Sequence, residues 1–117
     1  MLETLSTRRG HTFIPEAAAL WPSLYSTENI TVGDKEILAH YFVGGSDWYL
    51  TEYDGCENLA FGYVNLGSED GEWGSFSLEE MEQVIVHGFM IIERDLDWEA
   101  KSARTALPSR AWIWGDK

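Results

Sequence analysis

Apolar and polar residues alternate through the middle of the chain, and turn-forming residues cut the alternation into strands. Glu36 to Val43 is apolar and β-rich, and Gly44-Gly45-Ser46 closes it. From Trp48 to Tyr53 the period is two. That places Trp48, Leu50 and Glu52 on one face, with Tyr49, Thr51 and Tyr53 on the other. Asp54-Gly55 is a strong turn signal. Leu59 to Asn65 alternates again, and Gly62 within it marks a bulge or a close backbone contact. A loop from Gly67 to Gly71 precedes a short strand, Glu72 to Phe76. This spacing predicts an antiparallel meander.

Helical signals flank the strands. Pro15 to Trp21 suits a short helix, with proline in the first turn, three alanines, and Pro22 to stop it. Ser77-Leu78-Glu79-Glu80 is a capping box, in which the serine hydroxyl accepts from the Glu80 backbone. Glu79 and Glu80 also meet the positive end of the helix dipole. That helix is predicted to run to about Val86, with Gly88 just beyond it. Phe89 to Ile92 then reads as a buried strand ended by Glu93-Arg94-Asp95, and Trp98 to Arg104 as one or two helical turns before Pro108. The predicted fold is α+β: a four- to five-stranded antiparallel meander sheet with two or three short helices packed on one face. Residues 1–14 are expected to be a flexible arm, 15–107 a single domain, and 108–117 a tail whose Trp112-Ile113-Trp114 docks on this domain or on a partner.

Composition supports a folded domain. A chain of 117 residues is one domain's worth, and 44% hydrophobic residues with six tryptophans can supply its core. Charge changes the picture more. The chain carries 20 acidic against 8 basic residues, formally −12. Between Glu28 and Glu99 stand seventeen acidic residues and two basic ones, Lys35 and Arg94. Such a body repels phosphate, so direct nucleic-acid binding is not expected. No apolar run is long enough for a membrane span, and no secretory signal is visible. Cys56 is the one cysteine. A reducing, cytoplasmic setting is the expectation.

Known catalytic signatures are missing: no G-x-S-x-G, no phosphate-binding lysine loop, no C-x-x-C and no H-E-x-x-H. His11, His40 and His87 are scattered without metal-ligand spacing, and no metal or cofactor is expected. His40 reads as a satisfied strand histidine and His87 as a residue at a helix C-terminus. The seven aromatics on the central strands are explained by core packing. A carboxylate site is the sharper candidate: Glu52 and Asp54 end one strand, Glu93, Arg94 and Asp95 another. If those ends converge, Arg94 clamps a carboxylate, or Glu52, Glu93 or Asp95 serves as acid, base or oxygen ligand.

Five blocks in order carry a family resemblance: W-P-S-L-Y-S-T-E-N (Trp21 to Asn29), W-Y-L-T-E-Y-D (Trp48 to Asp54), F-G-Y-V (Phe61 to Val64), E-W-G-S-F-S-L-E-E-M (Glu72 to Met81) and I-E-R-D (Ile92 to Asp95). The chain resembles the domain-of-unknown-function family 2958 over Trp21 to Asp97. The resemblance implies a bacterial plasmid or other mobile-element setting and a fold, but no activity. Two departures stand out. Ser75 occupies a position where the family pattern carries an aromatic, and the segment between Met81 and Ile92 lacks the family's Gly/Pro-rich turn.

The acidic surface suggests a role. Glu69, Asp70, Glu72, Glu79, Glu80 and Glu82 follow one another without a basic residue between them. Their simplest use is a solvated face that keeps a tryptophan-rich domain soluble. Their functional use is an acidic face for a basic protein partner. Duplex DNA carries one charge per ~1.7 Å of axis, and a rigid carboxylate array presents a comparable field to a DNA-binding protein. The expected function is therefore a non-enzymatic acidic interaction protein of a mobile element, as a DNA mimic, anti-defence or regulatory protein. The alternatives are a small-molecule- or metal-dependent enzyme at Glu52, Glu93 and Asp95, or a self-associating structural protein that buries Trp112 and Trp114.

Overall fold

A computed structural model describes residues 1–67 and 70–115. Strand β1 (Glu36–Ile37) is followed after Leu38 by β2 (Ala39–Val43), β3 (Ser46–Asp54), β4 (Leu59–Asn65) and β5 (Glu72–Ser77). The last four form the expected antiparallel meander. After a helix at Leu78–Gln83 come β6 (Ile85–Val86), β7 (Met90–Ile91) and β8 (Glu93–Arg94), and later β9 (Lys101–Ser102). The short strand β8 adds to β2, giving a five-stranded sheet in the order β5-β4-β3-β2-β8. Three short helices complete the fold: α1 (Ser6–Arg9), α2 (Leu78–Gln83) and α3 (Ala103–Ala106). The protein is α+β.

A bulge in β3 decides which side chains share a face. Leu50 pairs with Gly62 and Glu52 with Phe61, so Thr51 is an extra residue. Strict alternation therefore stops at Leu50. Leu50 and Tyr53 both enter one core, with Ala39, Tyr41 and Ala60, while Glu52 turns to the opposite face with Phe61. Gly62 is required there: a Cβ would lie 1.8 Å from the Tyr49 carbonyl oxygen. The glycine and the kink belong to one device.

Each face of the sheet has its own cover. The first is packed by the N-terminal segment and α2, through Phe13, Ala18, Leu78 and Met81. The Phe13 and Tyr41 rings meet at 4.5 Å, tilted by 41°, and the Tyr41 hydroxyl donates to the Phe13 carbonyl. Residues 1–14, expected as a flexible arm, thus place Phe13 and Arg9 in the interior. The reason is a buried anion: the Glu82 carboxylate accepts from Arg9 and from the backbone amides of Thr4 and Leu5. The second face is covered by the C-terminal segment, where Ala103, Leu107 and Ala111 meet Ile37 and Tyr63. Helix α3 accordingly lies on the opposite face from α1 and α2. Trp112 joins this second core, whereas Ile113 and Trp114 are exposed.

Other boundaries follow local chemistry. Pro15 starts a 3-10 helix, Glu16–Leu20, closed at Trp21. Ser77 caps α2 by accepting from the Glu80 amide at 3.1 Å. The helix ends at Gln83 rather than near Val86, because the β-branched run Val84-Ile85-Val86 leaves it and forms a hairpin. His87 and Gly88 both have positive φ, 53° and 79°, as a type I′ turn requires. His87 is therefore a turn residue and not a helix-terminal one. Phe89, expected in a buried strand, is exposed just past that turn.

Candidate functional site

The expected convergence of Glu52 with Glu93 and Asp95 does not occur. Strand β2 separates β3 from β8, and Glu93 lies across it from Asp47, since both pair with Phe42. Arg94 donates to the Thr12 carbonyl at 3.1 Å and clamps no carboxylate among the described residues. Asp54 accepts from the Cys56 amide and shapes the β3–β4 turn.

Asp95 instead faces His40. The His40 imidazole lies between two carboxylates, with Nδ1 at 3.0 Å from Asp95 and Nε2 at 2.7 Å from Asp47. Its ring stacks on Tyr49 at 4.7 Å with only 8° between the planes. Each ring nitrogen thus has one carboxylate oxygen as its partner. With both ring nitrogens engaged, neither is free to abstract a proton. His40 is the satisfied strand histidine that the sequence suggests, and it binds β2, β3 and the turn after β8 together.

Glu52 builds a different place. The bulge aims its carboxylate at the loop before β1. There it accepts from the backbone amides of Tyr25 at 2.8 Å and Thr27 at 3.2 Å, and from the Thr27 hydroxyl. The Lys35 ammonium lies 4.0 Å away and donates to the carbonyl and hydroxyl of Thr27. Both charged side chains are buried. Burial lowers the Lys35 pKa from its ordinary value, against the opposing pull of Glu52 and Glu28. Tyr25 is held at φ 69°, a left-handed conformation uncommon for a tyrosine. Above this pair a cavity of about 230 Å³ opens, walled by Leu24, Tyr25 and Phe61 and reached by Glu28 and Ser75. Lys35 lies outside the five blocks and Tyr25 within the first of them, and only the bulge reveals that they meet Glu52.

The acidic run divides. Glu82 is fully buried and leaves the surface, because α2 turns it inward onto Arg9. Burial works to raise its pKa, but the hydrogen bonds from Arg9, Thr4 and Leu5 outweigh that and hold it below the ordinary value. Glu72, Glu79 and Glu80 remain exposed. Asp70 is exposed with Arg110 at 3.9 Å, and Glu69 lies outside the described residues. Glu80 also lines a trough of about 540 Å³ between α2, the β6–β7 hairpin and the β2–β3 turn. Trp48, Phe76, Met81 and Met90 form its bed, and Glu80 and His87 are its titratable side chains. Among the described residues no group of three metal-ligating side chains could hold a metal ion, and no helix is long and apolar enough to cross a membrane.

The class is thus a small α+β protein with a two-faced antiparallel sheet, an acidic apolar-bedded trough and a buried Glu–Lys pair under a cavity. The chain belongs to the family of proteins of unknown function DUF2958, whose model matches residues 16–112. No curated protein and no solved structure matches it.

Proposed function

We propose that this protein is a non-enzymatic interaction protein of a mobile genetic element that takes a basic segment of a partner protein against the acidic surface around α2 and β5. The observation that carries this reading is the trough beside α2. It is bedded by large apolar side chains, no lysine or arginine among the described residues lines it, and a carboxylate, Glu80, stands on it. Val84 and Val86 add to its apolar lining, and Glu79 is exposed on the same helix as Glu80. Two methionines give the bed an adaptable shape, which suits a peptide segment more than a rigid ligand. A formal charge of −12 steers basic proteins toward it and keeps phosphate away. A DNA-handling protein is the partner class with the matching charge.

Association led by charge weakens as salt screens it, over a Debye length of ~8 Å at physiological ionic strength. Affinity capture of the tagged protein with a rising salt gradient tests the reading. A basic protein should leave at moderate salt, and should not be captured once Glu72, Glu79 and Glu80 are changed together to glutamine. A partner that withstands molar salt, or binds the triple variant unchanged, overturns it.

A further inference from the structure

The cavity under Tyr25 has no part in that reading, and its construction is not explained by holding the loop alone. Anchoring residues 25–27 needs the Glu52 carboxylate and its three hydrogen bonds from Tyr25 and Thr27. Lys35 holds the same loop through the carbonyl and hydroxyl of Thr27, but none of these contacts needs an open space above the pair. Yet Lys35 and Glu52 both line that space, 4.0 Å apart, and Tyr25 stands strained at its mouth. Ser75 lines the space with a small side chain.

We propose that this cavity is a binding site for a small, neutral, planar ring bearing one hydrogen-bond donor and one acceptor on its polar edge, as an aromatic amide or an amino-heteroaromatic base does. Size selects a single ring or a compact fused pair, since about 230 Å³ is below the ~300 Å³ at which drug-sized pockets begin. The walls select an apolar planar body: Leu24, Tyr25 and Phe61 face it, and Trp73 backs Phe61 at 6.1 Å with 23° between the rings. The floor selects the edge. Glu52 offers an acceptor and Lys35 a donor, so a neutral donor–acceptor edge satisfies both. A cationic head is drawn by Glu28 and the net charge but must share Glu52 with the Lys35 ammonium, and an anionic one meets Glu52, Glu28 and the negative charge of the whole molecule.

Three probes sharing one benzene ring separate these cases: benzamide, benzoate and benzylammonium, each titrated into the full chain while backbone amide shifts are followed by NMR. Benzamide should shift Tyr25, Thr27, Lys35 and Phe61 saturably, with a Kd at least tenfold below those of the charged probes. Absence of saturation, an equal or tighter charged probe, or shifts centred elsewhere overturns the proposal. Ser75→Phe should fill the cavity and weaken benzamide at least tenfold, and a folded S75F chain that binds it undiminished overturns the proposal. Lys35→Met provides a second variant that removes the donor. Its preference for benzamide over benzylammonium should vanish, and a retained tenfold preference counts against the site. None of these outcomes depends on the acidic trough, whose variants leave the cavity untouched.

Discussion

Two carboxylates of this chain that look like surface charges in the sequence are interior groups, and each acts through its neighbours. Glu82 is enclosed by Arg9 and the amides of Thr4 and Leu5. Removing one partner of such a pair leaves the other charge buried, a loss of ~3–5 kcal/mol. Glu82→Gln should therefore lower the urea midpoint sharply. The pH dependence has a definite sign. The folded pKa of Glu82 lies below its ordinary 4.5, so the unfolded chain takes up this proton more readily. Its contribution is complete above that ordinary value and is lost as pH falls through the lower folded one. Urea midpoints of wild type and E82Q at pH 7 and below pH 4.5 should converge on acidification. A gap that stays constant would show that the charge plays no part.

Among the elements, β3 carries the most consequence, because its bulge sends Glu52 toward Lys35 instead of into the first core. Gly62 permits that geometry. Gly62→Ala forces a methyl against the Tyr49 carbonyl, and should cost at least the ~1–3 kcal/mol typical of overpacking. Ser77→Ala removes the cap of α2 and should cost about 1 kcal/mol. Both are read from denaturant unfolding. A Gly62→Ala chain as stable as wild type would mean that β3 and β4 can separate without the bulge. The two substitutions lie on different contacts, so their effects should add.

For the whole molecule, stability and surface charge should be separable. Glu79 and Glu80 are exposed on α2, so changing both to glutamine should move stability by no more than about 0.5 kcal/mol beyond the small helix-dipole loss. The same pair should change the salt profile of partner binding. If E79Q/E80Q instead unfolds the chain, those carboxylates belong to the fold and the interaction reading loses its support. The two covers of the sheet come from opposite ends of the chain, the N-terminal segment with α2 on one side and the C-terminal segment on the other. Docking of both ends is therefore part of folding.

The sequence alone determined the four meander strands, the turns between them, the Ser77 cap and the overall α+β class, because each rests on local chemistry: period-two alternation, glycine and aspartate turns, and a hydroxyl three residues before an amide. It also marked Gly62 as a bulge or close contact, though not which strand would kink. Tertiary structure decided the rest. The short strand β8, the burial of Arg9 and Phe13 and the facing of Asp95 to His40 depend on contacts between residues far apart in sequence. The same holds for the candidate sites. A carboxylate's role is set by what encloses it, so Glu82 became an interior anion, Glu80 a surface one, and Glu52 the floor of a cavity. One extra residue in β3 reversed the face of Glu52, and period alone could not foresee it, because a bulge is specified jointly by two strands.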